Sequence, residues 1–593
     1  MALVRRLRGL FRRLFASGAT LVTGDGPVAA ALCERLQRNG RAVRRLGQGG
    51  LTAGLLKRAQ TLILADPGDP VAEVSAVFDL AASRPNRGAP LRLILAHRGP
   101  WPEGLPGPET EGPVRLEGLA LEDEAARALL AAHPLHSGCD PLFGQVPHLL
   151  IAGTAPPAMA LLVQAMRLAH YGPEQAVFTL AADPPDAWRD AVLSAYPQAP
   201  QCCRLRFTGL DEPNLDGAPP VTGVWVLLDP PESGLDPAQT LAARLLAVQG
   251  VAPPIYLEVG AARPSGDIAD WDAQTRPISW LATACDPRAL LDGRNDRLAL
   301  VIHEHYRDSI EAQGRDPGTE AAGRPWEGLA GSYRDASRHQ ADHLWAKLAA
   351  TDSRAIPLDQ ARSQTHAFAP LEVERLAEVE HRRWAADRYL AGWTYAPVRD
   401  NSRRHHPQLI PYANLSEPMK DLDRFVVRLV PTLLARSELA LVPGLVIGVA
   451  QADPKVGADR RLRRLVHDCL GRLAARFPDR GLILASTLDD PGSRLLAQIA
   501  LDDYAAALWM LCPSPIPKVL ARALAADDRT HLVELVARAE RRIPLAGPEG
   551  LADWLGQRAA VLILPGTLAA PAQPGRQVRL DPAAAAPQWG FEY

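Results

Sequence analysis

The chain has 593 residues, 47% of them hydrophobic and 22% charged, and its 65 Lys and Arg nearly cancel its 67 Asp and Glu to leave a formal net charge of −2. This composition predicts a soluble protein of several globular domains and argues against wholesale disorder, a fibrous repeat or a chain-wide nucleic-acid surface. The seven cysteines form no CxxC pair and no run of about 18 apolar residues occurs, so neither a zinc ribbon, a thioredoxin-type site nor a transmembrane helix is expected.

Residues 1–18 lack the apolar core and the small-residue cleavage site of a signal peptide. Wound as a helix, they place Leu3, Leu7, Leu10, Phe11 and Leu14 on one face and Arg5, Arg6, Arg8, Arg12 and Arg13 on the other. Such a basic amphipathic helix packs on protein or lies on an anionic membrane surface. Over 19–145, strand patterns at 19–23, 41–45, 60–65 and 91–96 alternate with helical ones, the signature of a parallel, doubly wound sheet. Residues 146–292 repeat the scheme, with strands at 147–152, 176–180, 223–228 and 254–258, as a tandem duplication would. Over 298–435 long amphipathic helical stretches dominate, rich in Trp, Tyr and His. Strand patterns return over 440–580, at 444–450, 481–485, 506–512 and 560–564, before an Ala/Pro-rich tail. The expected fold class is therefore multidomain α/β: two Rossmann-like parallel-sheet units, a mainly helical region and a C-terminal α/β unit.

Gly24-Asp25-Gly26-Pro27-Val28-Ala29 follows the first strand and opens a helix, the context in which a glycine-rich turn cradles a pyrophosphate. Gly24, Gly26 and Ala29 are the candidate cofactor-binding positions. No carboxylate ends the second strand to hold an adenosine ribose; Arg44 and Arg45 stand there, and Arg45 is a candidate for a 2′-phosphate. In the second unit only Gly153 and Asp183 suit such a role, and a scaffold without ligand is the favoured reading. Leu21-Val-Thr-Gly-Asp-Gly26 and the strand spacing of both units resemble the TrkA-N type Rossmann domain, which implies NAD(P)- or nucleotide-responsive regulation of ion transport rather than hydride chemistry.

The most specific pattern is Leu376-Ala-Glu-Val-Glu-His381-Arg-Arg-Trp384, then Gly392-Trp393-Thr-Tyr395, Val398-Arg399-Asp400 and His406-Pro407 through Pro411-Tyr412. It resembles the RyR domain, the repeat named in ryanodine receptors and also found in bacterial proteins, with Ala396 departing from the usual glycine. His381 and Trp384 share a helix face, and Trp393 and Tyr395 share one side of an extended segment. Together they can wall an aromatic slot for a planar base or a cation, with Arg338, Arg399 and Asp400 as polar contacts; the competing reading is a domain core. The pairs His339/His343, His303/His305 and His405/His406 are close in sequence, but no HExxH and no nearby cysteine completes a metal site, and none is predicted.

The last unit resembles the SLOG superfamily of nucleotide-processing Rossmann relatives, through Gly444-Leu-Val-Ile-Gly448-Val and Leu484-Ala-Ser486-Thr-Leu-Asp-Asp490-Pro-Gly492-Ser493-Arg494. The family's GGT phosphate loop is reduced to Pro565-Gly566-Thr567, so Gly448, Ser486, Ser493 and Arg494 remain its candidates. No GxSxG elbow or P-loop occurs. These features suggest a non-catalytic sensor of a nucleotide or metabolite, cytoplasmic or peripheral to the inner membrane and possible in oligomeric form. Its expected output is an ion transporter, a partner or a membrane reached through residues 1–18, and the domain set also invites a role in phage defence. The alternatives are an enzyme cleaving an N-glycosidic bond in the SLOG-like unit and a ligand-free assembly scaffold.

Overall fold

The computed structural model describes residues 19–47, 49–82, 89–105, 112–211, 213–249, 253–260, 275–361, 366–450, 459–514, 519, 526–565, 577–581 and 584–589. The basic segment 1–18, and Gly566 and Thr567 of the reduced phosphate loop, lie outside these residues. Within them the chain is α/β, with three parallel-based sheets and a helical region before the third.

Strands β1 (Thr20–Thr23), β2 (Val43–Leu46), β3 (Thr61–Ala65), β4 (Leu91–His97) and β5 (Val114–Ala120) form an all-parallel sheet in the order β2-β1-β3-β4-β5. Its central strands are continuous apolar runs because helices cover both faces. Val22, Ile63 and Ile94 pack under the helix Pro27–Arg38, while Leu21, Leu62 and Leu64 pack under Pro70–Ala81.

The second sheet holds β6 (His148–Ala152), β7 (Val177–Ala181), β8 (Arg204–Thr208), β9 (Gly223–Val226), β10 (Ile255–Glu258) and β11 (Thr275–Ile278), in the order β11-β10-β9-β6-β7-β8. Counted within the unit this is the 3-2-1-4-5-6 arrangement of dinucleotide-binding folds, whereas the first sheet follows 2-1-3-4-5. The two units are both Rossmann-like, but their third strands dock on opposite sides of the first strand, which a simple duplication does not produce.

Strands β12 (Ser353–Pro357), β13 (Thr394–Tyr395) and β14 (His405–His406) belong to the helical region. The third sheet runs β18-β17-β16-β15-β19-β20-β21, from β15 (Leu439–Val449), β16 (Gly481–Ser486), β17 (Ala507–Cys512), β18 (Arg541–Pro544), β19 (Val561–Pro565), β20 (Gln577–Leu580) and β21 (Gln588–Trp589). The first half of β15 pairs antiparallel with β12, and its second half pairs parallel with β16 and β19. At the changeover a Cβ on Gly444 would lie 2.3 Å from the Asp352 carbonyl, so only glycine allows the crossing. The helical region thus leaves and rejoins the third sheet through one ladder.

The long helix Pro370–Leu390 is buried on two sides. Val373, Leu376 and Ala377 pack with Val427, Val430 and Leu434 of the helix Glu417–Arg436, while Ala386 and Leu390 enter the core of the second unit. Charges are buried at the same junction. Glu380 sits 2.7 Å from Lys347 and 2.8 Å from Arg383, and all three are nearly inaccessible. Arg383 reaches on to Asp387, which His339 contacts at 3.1 Å. A second buried cluster ties the segment leading into the second unit to the third. The fully buried Asp140 accepts from Trp554 Nε1 at 2.9 Å and Arg558 Nε at 2.8 Å, and Arg558 reaches Asp352 at 2.7 Å.

Candidate functional site

The helix Pro370–Leu390 carries His381, Trp384 and Arg388 along one face, at i, i+3 and i+7. His381 is fixed at both ring nitrogens, Nε2 at 2.9 Å from the Ile410 carbonyl and Nδ1 at 3.3 Å from Asp423. Its ring stacks on Trp384 with centroids 5.6 Å apart.

The helix ends in a Schellman motif. Gly392, at φ +79°, donates to the Tyr389 carbonyl at 2.9 Å, and Trp393 N donates to the Arg388 carbonyl at 2.9 Å. Such a motif brings the residue after the left-handed glycine back against the last turn. Here that residue is Trp393, and the Arg388 guanidinium lies 5.5 Å from its ring and 5.9 Å from that of Trp384. His406, from β14, closes the cluster edge-on at 4.9 Å to Trp384 and 6.0 Å to Trp393. Arg388 Nε is buried with no hydrogen-bond partner. Burial, with Arg383 and Arg399 nearby, lowers its pKa against the opposing pull of Asp387.

Beyond this slot, the loop 396–405 encloses an open cleft of about 590 Å³ lined by Pro397, Val398, Arg399, Asn401, Arg403 and His405. Asp400 builds the loop. Its Oδ1 accepts from Ser402 N at 2.9 Å, Ser402 Oγ at 2.6 Å and Arg403 N at 3.1 Å, and these donors hold the exposed carboxyl below its usual pKa. Arg399 is exposed on the cleft and donates to Asn401 at 2.9 Å.

The sequence-predicted residues separate accordingly. His381, Trp384 and Trp393 come together, with Arg399 and Asp400 on the adjoining loop. Tyr395 is 56% exposed and makes no ring contact with the slot. Arg338 lies elsewhere: it pairs with Asp296 at 2.6 Å and Asp335 at 3.0 Å, over Trp326. Arg388 and His406 complete the slot and were not among the expected site residues. The legible signal for Arg388 was its position four residues after Trp384, just before a Gly-Trp helix stop.

In the first unit Gly24 adopts φ +116°, and a Cβ there would meet the Ala65 carbonyl at 2.9 Å, so the turn needs this glycine. Gly26 caps the helix Pro27–Arg38, and Ala29 is buried in its core. Arg45 Nε donates to the Gly24 carbonyl at 3.0 Å and so braces the turn. Pro27 removes one of the amides that would face a phosphate. In the second unit Pro156 and Pro157 do the same, and Asp183 accepts from Leu210 N at 3.2 Å.

In the third unit a Cβ on Gly448 would lie 2.7 Å from Leu555, so this glycine serves helix-on-strand packing. Ser486 Oγ is buried and accepts from Leu488 N at 3.2 Å. Ser493 joins Asp490 in a capping box, and Arg494 donates to the Leu488 carbonyl at 3.0 Å. Of the histidine pairs, His339 contacts Asp387, and His343 lies 3.0 Å from the His170 carbonyl and 3.2 Å from Lys347.

Residues 356–438 match the RyR domain family model. The match spans the slot, its Schellman turn, the 396–405 loop and the helix Glu417–Arg436. It begins in β12 and ends one residue before β15, so the RyR domain is the part suspended from the ladder between those strands. The helices Arg297–Ala312 and Gly331–Asp342 precede the matched residues.

Proposed function

We propose that this protein is a non-catalytic, ligand-sensing regulator in which the RyR domain holds the ligand. The observation that carries this reading is Arg388, an arginine without a bonded anion at Nε, set between Trp384 and Trp393 beside an open cationic cleft. Tryptophan faces suit a planar ring. The added arginine, with Arg399 and Arg403 on the cleft, favours a ligand that also bears an anionic group, such as a nucleotide, over a simple cation. The sensing role follows from position: the same helix carries the slot on one side and the buried ion cluster with the second unit on the other. A ligand that fits one arrangement of this junction better than another shifts its population. The output, whether an ion transporter, a partner or a membrane, acts through surfaces other than the slot.

The test is a thermal-shift and calorimetric screen of the full chain against NAD(H), NADP(H), ADP-ribose, ATP and cyclic nucleotides, with each compound also checked for turnover. Saturable binding without product, lost in Trp393→Ala, supports the sensor. Product formation would establish the enzyme reading instead, although Ser486 and Asp490, the polar residues of the SLOG-like pattern, are committed to turn and cap contacts.

A further inference from the structure

The third unit holds a groove of about 530 Å³ that shares no lining residue with the RyR slot or its cleft. The parallel strands β15, β16, β17 and β18 lie side by side in chain order, so right-handed crossovers put the connecting helices Arg460–Arg476, Pro491–Asp503 and Ala526–Arg538 on one face of the sheet, over one core. The groove is lined wholly by these three helices. It is therefore separate from the carboxyl ends of the strands, where open parallel sheets bind nucleotides. Pro491, Arg494, Gln498 and Asp502 run along it at i, i+3, i+7 and i+11 of the middle helix, and Leu495 and Ile499, 5% and 1% exposed, supply its apolar lining.

The two ends of the groove differ in how their charges are met. At one end Asp502 is matched by Arg538 at 2.7 Å and Asp503 by His467 at 3.8 Å. At the other end the cations are not matched. Arg494 is 4% exposed; its Nη1 donates to the Leu488 carbonyl at 3.0 Å, its Nε is buried with no hydrogen-bond partner, and its Nη2 lies 3.6 Å from Asp528, beyond hydrogen-bonding distance. Arg463, exposed on the neighbouring helix, pairs with no carboxylate among the described residues. A guanidinium taken out of water loses more hydration energy than one carbonyl returns. Its Nε and Nη2 form a fork that matches two oxygens of a carboxylate or phosphate, and in Arg494 that edge is unfilled. We infer that this groove binds a small organic oxyanion. The phosphate or carboxylate head displaces Asp528 and takes the Nε and Nη2 edge of Arg494, Arg463 is the second cation, and an apolar body lies against Leu495 and Ile499. This site does not depend on the RyR slot.

The experiment is calorimetric titration of the full chain, carrying Arg388→Met to disable the RyR slot, with phenyl phosphate, benzoate and inorganic phosphate. The expected result is saturable binding of phenyl phosphate or benzoate, with inorganic phosphate weaker because it has no apolar body. The tighter of the two aromatic probes identifies the head group as phosphate or carboxylate. Adding Arg494→Gln or Arg463→Gln should weaken binding by about tenfold or more, as loss of a charge-assisted hydrogen bond implies. Asp528→Asn should strengthen it, because the competing carboxylate is gone. Arg463 is exposed and supplies a variant that keeps the fold if Arg494→Gln does not. No saturable binding of any of the three probes, an affinity unchanged by Arg463→Gln, or an affinity unchanged or weakened by Asp528→Asn overturns the site.

Discussion

Asp387 and Arg388 are consecutive on the helix Pro370–Leu390 and face different parts of the molecule. Arg388 projects between Trp384 and Trp393, while Asp387 turns inward to Arg383, to His339 at 3.1 Å and to Arg167 of the second unit at 3.7 Å. Burial works to raise the Asp387 pKa, and the charges of His339 and Arg383 more than reverse it, so the carboxylate is held far below its usual range. One peptide unit therefore joins the aromatic slot to the interface that fixes the RyR domain on its neighbour.

That junction predicts a separation of effects. Arg388→Met and Trp393→Ala are expected to abolish nucleotide-induced stabilisation while moving the unliganded melting point little, since both side chains are only half-buried. Asp387→Asn is expected to lower the unliganded melting point and weaken binding together. Thermal shift with and without ligand distinguishes the two classes. A slot variant that binds normally contradicts the assignment of the slot.

The ion cluster at Glu380 predicts strong coupling. Burial raises the Glu380 pKa, and Arg383 and Lys347 more than reverse this, down to about 2. Glu380→Gln leaves Lys347 buried without its carboxylate and is expected to cost about 3–5 kcal/mol in denaturant unfolding. Lys347→Met together with Glu380→Gln should cost clearly less than the sum of the single changes, because neither charge is then stranded. An additive double-mutant cycle would show that the pair is not coupled.

Asp140 predicts a similar loss at the other junction. Asp140→Ala strands Trp554 Nε1 and removes one of the two carboxylates on Arg558, so a destabilisation of about 3–5 kcal/mol is expected. Because the residue holds the third unit to the segment leading into the second, limited proteolysis should reveal the third unit opening first. Retention of the parent cleavage pattern would argue against that role.

Acid should loosen the second unit. Burial, the largest cause, lowers the pKa of both His148 and His170 to about 4. His148 is held neutral between the Pro219 carbonyl at 2.7 Å and Thr179 Oγ1 at 2.8 Å. The unfolded chain, with histidine near its usual value of about 6.5, binds more protons than the folded chain between that pH and 4. The contribution is therefore complete above pH 6.5 and falls on acidification, by an order of 2 kcal/mol for each residue at pH 5. The depressed carboxylates oppose nothing in this window, since Glu380 gives up its contribution only below about pH 4.5. Urea midpoints at pH 7, 6 and 5 should fall in that order, and a flat series would refute the assignment.

Sequence by itself determined the fold class and the order of its parts. Continuous apolar runs such as Leu62-Ile63-Leu64 can be buried on both faces only in a helix-covered parallel sheet, and a tryptophan after Gly392 returns to the last helical turn through local hydrogen bonds. Those signals are short-range, so they are legible in the chain. Strand order is not short-range: β3 docks beside β1 while β8 docks beside β7, although the local patterns of the two units are alike. Nor could sequence say which arginines brace a neighbouring segment and which keep a buried N–H without a partner. Arg45 and Arg338 looked available, yet one holds the Gly24 carbonyl and the other Asp296; Arg388 and Arg542 drew no notice, yet each has a buried N–H without a partner. What decides these roles is which carboxylates and carbonyls other segments bring within about 3 Å, and only the tertiary structure places those segments.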